Sequence, residues 1–157
     1  MITLIAAVNN NMLLGKEGRM PWHIPEDLAF FKEKTIHKTV LMGRRTFDSI
    51  PKILQDRDIY VLTSSNKLSK SASNVTIIHH VEPLIEHYTS SDDELMVAGG
   101  GVVYRLMMPY ADKIYLSVID DDQHGDVYFP SIALDEFEIV QILEKKCFKI
   151  FEYRRIR

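Results

Sequence analysis

The residues of this chain best suited to chemistry gather in Met20 to Phe31, Met-Pro-Trp-His-Ile-Pro-Glu-Asp-Leu-Ala-Phe-Phe. Pro25 fits the first position of a helix, because it has no N–H to lose and its φ is already helical. On that helix, spacing of three to four residues puts Asp27 on one face with Ile24, Leu28, Phe30 and Phe31. Glu26, Ala29, Lys32 and Glu33 fall on the other side. Neither Phe30 nor Phe31 offers Asp27 a positive partner. A carboxylate in such a setting has a raised pKa and is suited to handling protons. The competing reading is that Asp27 only complements the unpaired N–H groups and dipole of a first helical turn.

Two strand-to-helix junctions could hold anions. At Gly99-Gly100-Gly101 a phosphate can approach closely, since no Cβ intervenes and the N–H groups of a helix start point outward. A tight turn would explain the triplet equally well. It is not a G-x-G-x-x-G fingerprint, because position 104 is Tyr and the triplet follows the fifth predicted strand. Gly43-Arg44-Arg45-Thr46 combines a glycine, two guanidinium groups and a hydroxyl. Arginines in a first turn oppose the helix dipole, so a phosphate ligand or a solvated surface pair must account for them. Thr63-Ser64-Ser65, ending the next strand, could add hydroxyl donors to the same anion. Two such junctions in one small sheet suggest a dinucleotide, with the arginines selecting a 2′-phosphate and hence NADP(H) over NAD(H).

Other chemistries find less support. His79-His80 is a lone pair at a strand end and Cys147 is distant, so no metal-ligand spacing exists, and the histidines read as surface or capping groups. There is no Gly-x-Ser-x-Gly elbow or Gly-Lys-Ser/Thr loop. Asp120-Asp121-Asp122 reads as a solvated acidic turn.

These residues need a frame. Ile2 to Val8 has the pattern of a strand buried on both faces. Asn9 to Ile24 is read as a sixteen-residue loop, too apolar at Met12, Leu13, Leu14, Met20 and Trp22 for a solvated linker, and hence as a lid. Strands follow at Thr39–Met42, Ile59–Leu62, Val75–Ile78, Glu94–Ala98 and Ile114–Ile119. Helices are expected after Gly43 (ending near Ile50, before Pro51), around Glu82–Tyr88, and from Val102 to Met108, where Pro109 ends it. Phe137–Leu143 and Phe148–Tyr153 alternate apolar with polar residues, as a hairpin does. The result is an α/β sheet with helices on both faces and an antiparallel strand added at one edge. Ligands of such sheets bind at the carboxyl ends of the strands.

Composition narrows the classes. A chain of 157 residues reads as one domain, and 46% hydrophobic with 26% charged residues is ordinary for a globular protein. The net charge of −3 gives no reason to expect nucleic acid. A single cysteine excludes an internal disulfide and fits a reducing compartment. The first residues lack the basic region of a signal peptide, and Leu4–Val8, the longest apolar run, is far short of the ~20 residues of a membrane span. A soluble, cytoplasmic monomer is expected.

In the order and spacing of its motifs the chain closely resembles bacterial dihydrofolate reductases over essentially its full length. The matching segments are Leu4-Ile-Ala-Ala7, Leu14-Gly15, Met20-Pro-Trp22, Ile24-Pro25, Asp27-Leu28, Phe31-Lys32, Met42-Gly-Arg44, Thr46-Phe47, Ser49-Ile50, Gly99-Gly-Gly101, Val103-Tyr104, Gly125-Asp126 and Phe129-Pro130. The resemblance implies a three-layer α/β sandwich on a mostly parallel eight-stranded sheet. It also implies NADPH-dependent reduction of 7,8-dihydrofolate, inhibited by antifolates such as trimethoprim or methotrexate. By that likeness Asp27 would face the pterin, with Trp22 and Ser117 holding water and hydrogen bonds around it. Ile5, Ala7, Leu28, Phe31, Ile50, Leu54 and Ala98 would wall the substrate cleft, and Arg57 would pair with the glutamate α-carboxylate. Ala7, Leu14, Gly15, Met20, Gly43, Arg44, Arg45, Thr46, Leu62, Thr63, Ser64, Gly100, Gly101, Val102, Val103 and Tyr104 would contact NADPH. Pyrimidine reductases of riboflavin synthesis share a similar fold, but Asp27 with Trp22 and Arg57 points to folate. A binding protein that lost turnover is disfavoured by the intact Asp27.

Three departures from the family pattern matter. Ala98 stands where the family usually has Ile, Val or Leu, which predicts a roomier pocket. Gln55-Asp56 precedes Arg57 in place of a Leu-Pro-x-Arg pattern. The turn of the closing hairpin is short, so it is expected to contribute little to holding the Met20 loop.

Overall fold

The computed structural model describes residues 1–15 and 24–156. The chain runs β1 (Ile2–Asn9), β2 (Leu13–Gly15), α1 (Pro25–Thr35), β3 (Thr39–Gly43), α2 (Arg44–Ser49), β4 (Asp58–Leu62), β5 (Val75–Ile78), α3 (Glu82–Thr89), β6 (Leu95–Val97) and α4 (Gly101–Met107). After a 3-10 turn at Met108–Tyr110 come β7 (Lys113–Ile119), β8 (Val127–Tyr128), β9 (Phe137–Glu144) and β10 (Phe148–Arg155). Eight strands form one sheet in the order β5-β4-β3-β6-β1-β7-β10-β9, with β1 near its centre.

Period-two alternation divides β1 between two cores. Ile2, Leu4, Ala6 and Val8 face a cluster completed by Val103, Tyr104 and Met107 of α4 and by Tyr88 of α3. Ile5 faces the other cluster, with Phe30 of α1, Phe47 of α2, and Ala7 packed against it. Helices therefore cover both faces, which makes three layers.

Across the sheet from β5 through β1 to β7 every neighbouring pair is parallel, and β10 is antiparallel to β7. The reversed strand is thus β10, one in from the edge; the edge itself is β9, paired antiparallel to β10. Lys145 N–H donates to the Phe148 carbonyl to close the hairpin turn at 2.9 Å. The alternation expected in β9 is not a burial alternation. Phe137 is buried, but Ile139, Val140 and Ile142 are exposed, as suits a strand with one open side.

The stretch expected as one long loop contains β2, which pairs antiparallel with β8. Strands of three and two residues are too short to show a period, so neither was legible in the sequence. Asn9 fixes the approach to β2. Fully buried, it accepts from the N–H groups of Asn11 and Leu13, and it donates to the Asp121 carboxylate and the Gln123 carbonyl. The remainder of the expected lid, Met20 and Trp22 included, lies outside the described residues. So does any contact between it and the hairpin turn.

The α-helix α4 ends at Met107, before Pro109 as expected, and Pro109 lies in the 3-10 turn Met108–Tyr110, where a first-turn proline is tolerated. On α1, Phe30 is buried while Leu28 is 54% exposed, so the apolar face drawn from spacing is divided. Among the described residues no helix is long and apolar enough to cross a membrane.

Candidate active site

Asp27 begins the site, and its surroundings decide between the two readings of it. No side chain caps α1, whose N-cap position is Ile24. The Asp27 carboxylate reaches across to β7, where the Ser117 hydroxyl donates to Oδ1 at 2.6 Å. Parity explains the meeting. Tyr115 and Ile119 of β7 belong to the core on the α1 side, so Ser117 between them faces the same way. Burial pushes the Asp27 carboxyl above the usual carboxylate range, and the Ser117 hydrogen bond opposes that push. Asp27 is a half-buried acid in the first turn of α1 whose carboxylate meets β7 and makes no capping hydrogen bond.

Around it the described residues gather much of the expected cleft wall. Ala7 pairs in register with Ser117, and Ile5 with Tyr115, so β1 and β7 present these positions side by side. Phe31, Ile50, Leu54 and Ala98 pack with Ala7 against the Ile5 cluster. Leu28 stands outside that cluster, on the open side of α1. Ala98 continues the ladder after β6, its N–H donating to the Leu41 carbonyl at 2.8 Å.

Arg57 is buried with its guanidinium held from both sides. Nε donates to the Gln55 carbonyl at 2.8 Å and Nη1 to the Thr35 hydroxyl at 3.1 Å. Thr35 in turn donates to the Phe31 carbonyl at 2.7 Å. A guanidinium in this fork has further N–H donors for a carboxylate. Gln55 thus contributes through its backbone, so the departure before Arg57 leaves the arginine positioned. Thr35 was missed in the sequence, where a threonine closing a helix carries no chemical signal.

The two glycine junctions lie against each other. Gly43 N–H donates to the Gly99 carbonyl at 2.8 Å. A Cβ on Gly100 would stand 3.3 Å from the Thr46 hydroxyl oxygen, and one on Gly43 would stand 3.2 Å from Val103. The first turns of α2 and α4 therefore abut, and neither N-cap glycine supplies a side chain to satisfy them. Uncapped N–H groups from two adjoining helix starts, in a cradle that side chains would fill, fit a pyrophosphate. The glycines also serve the protein itself. Gly99 has φ +111°, and a Cβ on Gly101 would lie 3.0 Å from Val127 of β8.

The remaining expected cofactor positions are spread along this edge. Arg44 and Arg45 are exposed, and Arg44 Nε lies 3.9 Å from the Asp48 carboxylate, a weak pair that leaves it able to meet an anion. Val102 is 62% exposed beside the glycines. Leu14 and Leu62 pack on the α4-side core, and Gly15 pairs with Val127. The Thr63 hydroxyl accepts from Ser65 N–H at 3.1 Å, an arrangement in which its own proton can still donate. Tyr104 is fully buried and donates to the Ile5 carbonyl at 2.6 Å. Burial, reinforced by the charge of Asp27, keeps it a phenol. It ties the glycine turn to the strand beneath the acid. Among the described residues no group of His, Cys, Asp and Glu is placed to hold a metal.

Comparison with known proteins agrees with this geometry. A family model described as dihydrofolate reductase matches residues 1–153. The dihydrofolate reductase of Haemophilus influenzae is 39% identical over 137 residues, covering 87% of this chain and 83% of the relative. That of Mycoplasma genitalium is 30% identical over 158 residues, covering 99% and 98%. A solved structure of the Enterococcus faecalis enzyme, complexed with NADP(H) and RAB-propyl, superposes with a TM-score of 0.87 at 33% identity, over 99% of this chain and 96% of that one. The fold, the match along the chain and these relatives lead to one conclusion: the chain belongs to the dihydrofolate reductase family.

Proposed function

We propose that this chain performs its family's reaction with Asp27 as the one acid beside the pterin, held in place by Ser117. The reaction is the NADPH-dependent reduction of 7,8-dihydrofolate to 5,6,7,8-tetrahydrofolate, with hydride added at C6 and a proton at N5. When bound, NADPH supplies the hydride. Asp27 as a carboxylate accepts from the pterin N3–H and 2-amino group. Its charge then favours the protonated N5 that makes C6 electrophilic. Ser117 fixes the carboxylate in that orientation and offsets part of the cost of burying it.

The other residues bind and exclude water. Ile5, Ala7, Leu28, Phe31, Ile50, Leu54 and Ala98 wall the cleft, and Arg57 takes the glutamate carboxylate. The Gly43 and Gly99–Gly101 cradle takes the pyrophosphate, and Arg44, Arg45, Thr63 and Ser64 the 2′-phosphate end. Met20 and Trp22 complete the site by family likeness alone. We extend the proposal to residues 1–157 as one domain acting as a monomer in the cytoplasm; for the compartment, the exposed free thiol of Cys147 supports a reducing one.

The observation that carries the reading is the half-buried Asp27–Ser117 contact. Mixing the protein with NADPH and dihydrofolate should deplete NADPH absorbance, with tetrahydrofolate as the product. Binding of both ligands without turnover would instead favour a protein that kept the fold and lost the reaction.

A further inference from the structure

His79 has no part in the site described above, yet its position is not that of an idle surface residue. Gly43 of β3 pairs in register with Leu62 of β4, and Leu62 with Ile78 of β5. Arg44, Thr63 and His79 are therefore the first residues beyond the carboxyl ends of three adjacent strands. His79 Nδ1 lies 2.6 Å from the Thr63 carbonyl oxygen, and Nε2 lies 3.1 Å from Asn66 Oδ1. A backbone carbonyl only accepts, so Nδ1 carries the proton and donates. Nε2 then meets a side-chain amide, which can turn either end toward it.

The turn that His79 grips is otherwise braced from within. Ser65 N–H donates to the Thr63 hydroxyl at 3.1 Å, while the Ser65 hydroxyl accepts from Lys67 N–H and donates to the Lys67 carbonyl. Those bonds set the shape of the turn but not its tilt against the sheet. Tilt is set by bonds from β5 and the residue after it: Thr63 N–H to the Ile78 carbonyl at 3.0 Å, and the His79 ring.

We propose that His79 is a positioning residue for cofactor selection, holding the Thr63–Asn66 turn so that Ser64 stands with Arg44 around a 2′-phosphate. The inference rests on the reading of Arg44 and Ser64 as the 2′-phosphate end of the site. The ring acts through the turn and touches neither reactant.

Steady-state kinetics of the wild type, His79→Ala, His79→Asn and Arg44→Ala with NADPH and with NADH test it. In His79→Ala the KM for NADPH rises about fivefold, the change given by loss of one net hydrogen bond. The kcat, the KM for dihydrofolate and the KM for NADH stay at wild-type values. His79→Asn keeps an N–H donor near the place of Nδ1 and restores the NADPH KM. An unchanged NADPH KM in His79→Ala, a parallel rise for NADH, or no recovery in His79→Asn overturns the inference. If Arg44→Ala leaves the preference for NADPH over NADH intact, the 2′-phosphate reading itself falls, and this inference with it.

Discussion

The proposed pterin end and the proposed cofactor end of this site are built on opposite plans. At the first, one half-buried carboxylate is held by one hydroxyl from a neighbouring strand, among apolar side chains. At the second, backbone N–H groups of two short helices meet beside exposed arginines, and glycines keep the junction clear of side chains. One end concentrates its chemistry in a single group whose proton affinity is set by burial. The other spreads recognition over many weak, solvent-exposed contacts. A single substitution should therefore be severe at the first and graded at the second.

The largest expected effect is that of Asp27→Asn, which removes the charge and keeps the shape. It should lower kcat/KM near pH 7 by about 10²–10⁴, the range for loss of a proton-handling group, and the loss should shrink in acidic buffer as solvent supplies the proton. The same variant should be the more thermostable at neutral pH. Burial raises the folded-state pKa of Asp27, so its contribution to stability is favourable below its unfolded value and is lost as pH rises through the folded one. At pH 7 the charged carboxylate is a cost that Asn lacks. Below the ordinary carboxylate range the two melting temperatures should converge, as calorimetry across pH would show. Equal rates at pH 7 would break the contrast outright.

Arg44→Ala should act at the other end and more gently. Loss of one exposed guanidinium–phosphate contact is worth roughly 1.5 kcal/mol, or about tenfold in NADPH affinity. The affinity for NADH should barely move. A loss of a thousandfold would mean that the exposed end is as concentrated as the buried one.

Ala98→Ile sharpens the pterin side. Ala98 is up to three methylenes smaller than the Ile, Val or Leu expected at this position, so the larger side chain should tighten trimethoprim by ~1–2 kcal/mol at about 0.8 per CH₂. Titration calorimetry of both proteins would decide it. Unchanged affinity would mean that neighbours such as Ile50 and Leu54 already fill the space.

What the sequence displayed follows the same division. Features with a period or a chemical oddity were legible: the apolar run of β1, the acid among phenylalanines, the glycine triplet, the arginines after Gly43. Features made by contact across the chain were not. Nothing near Thr35 announces that it steadies Arg57, and nothing near Asn9 announces four hydrogen bonds. The β2–β8 pair escaped notice because its strands are shorter than any period. Leu28 was placed correctly on its helix, but spacing could not tell a face that meets the core from one left open beside a cleft. Ser117 was reached by family likeness. Its parity on β7 could have suggested the α1 side, but only with the register to β1 in hand.

That register has a temporal consequence. The hydroxyl that orients Asp27 comes from 90 residues later in the chain, and the carbonyl that Tyr104 grips lies 99 residues earlier. Contacts between such distant segments form slowly, because a long loop must close before they return any stabilisation. On a ribosome, α1 emerges well before β7 exists to meet it. The acid therefore spends the early life of the molecule solvated and without its partner, and catalytic competence arrives only when the second half of the chain slots in beside β1.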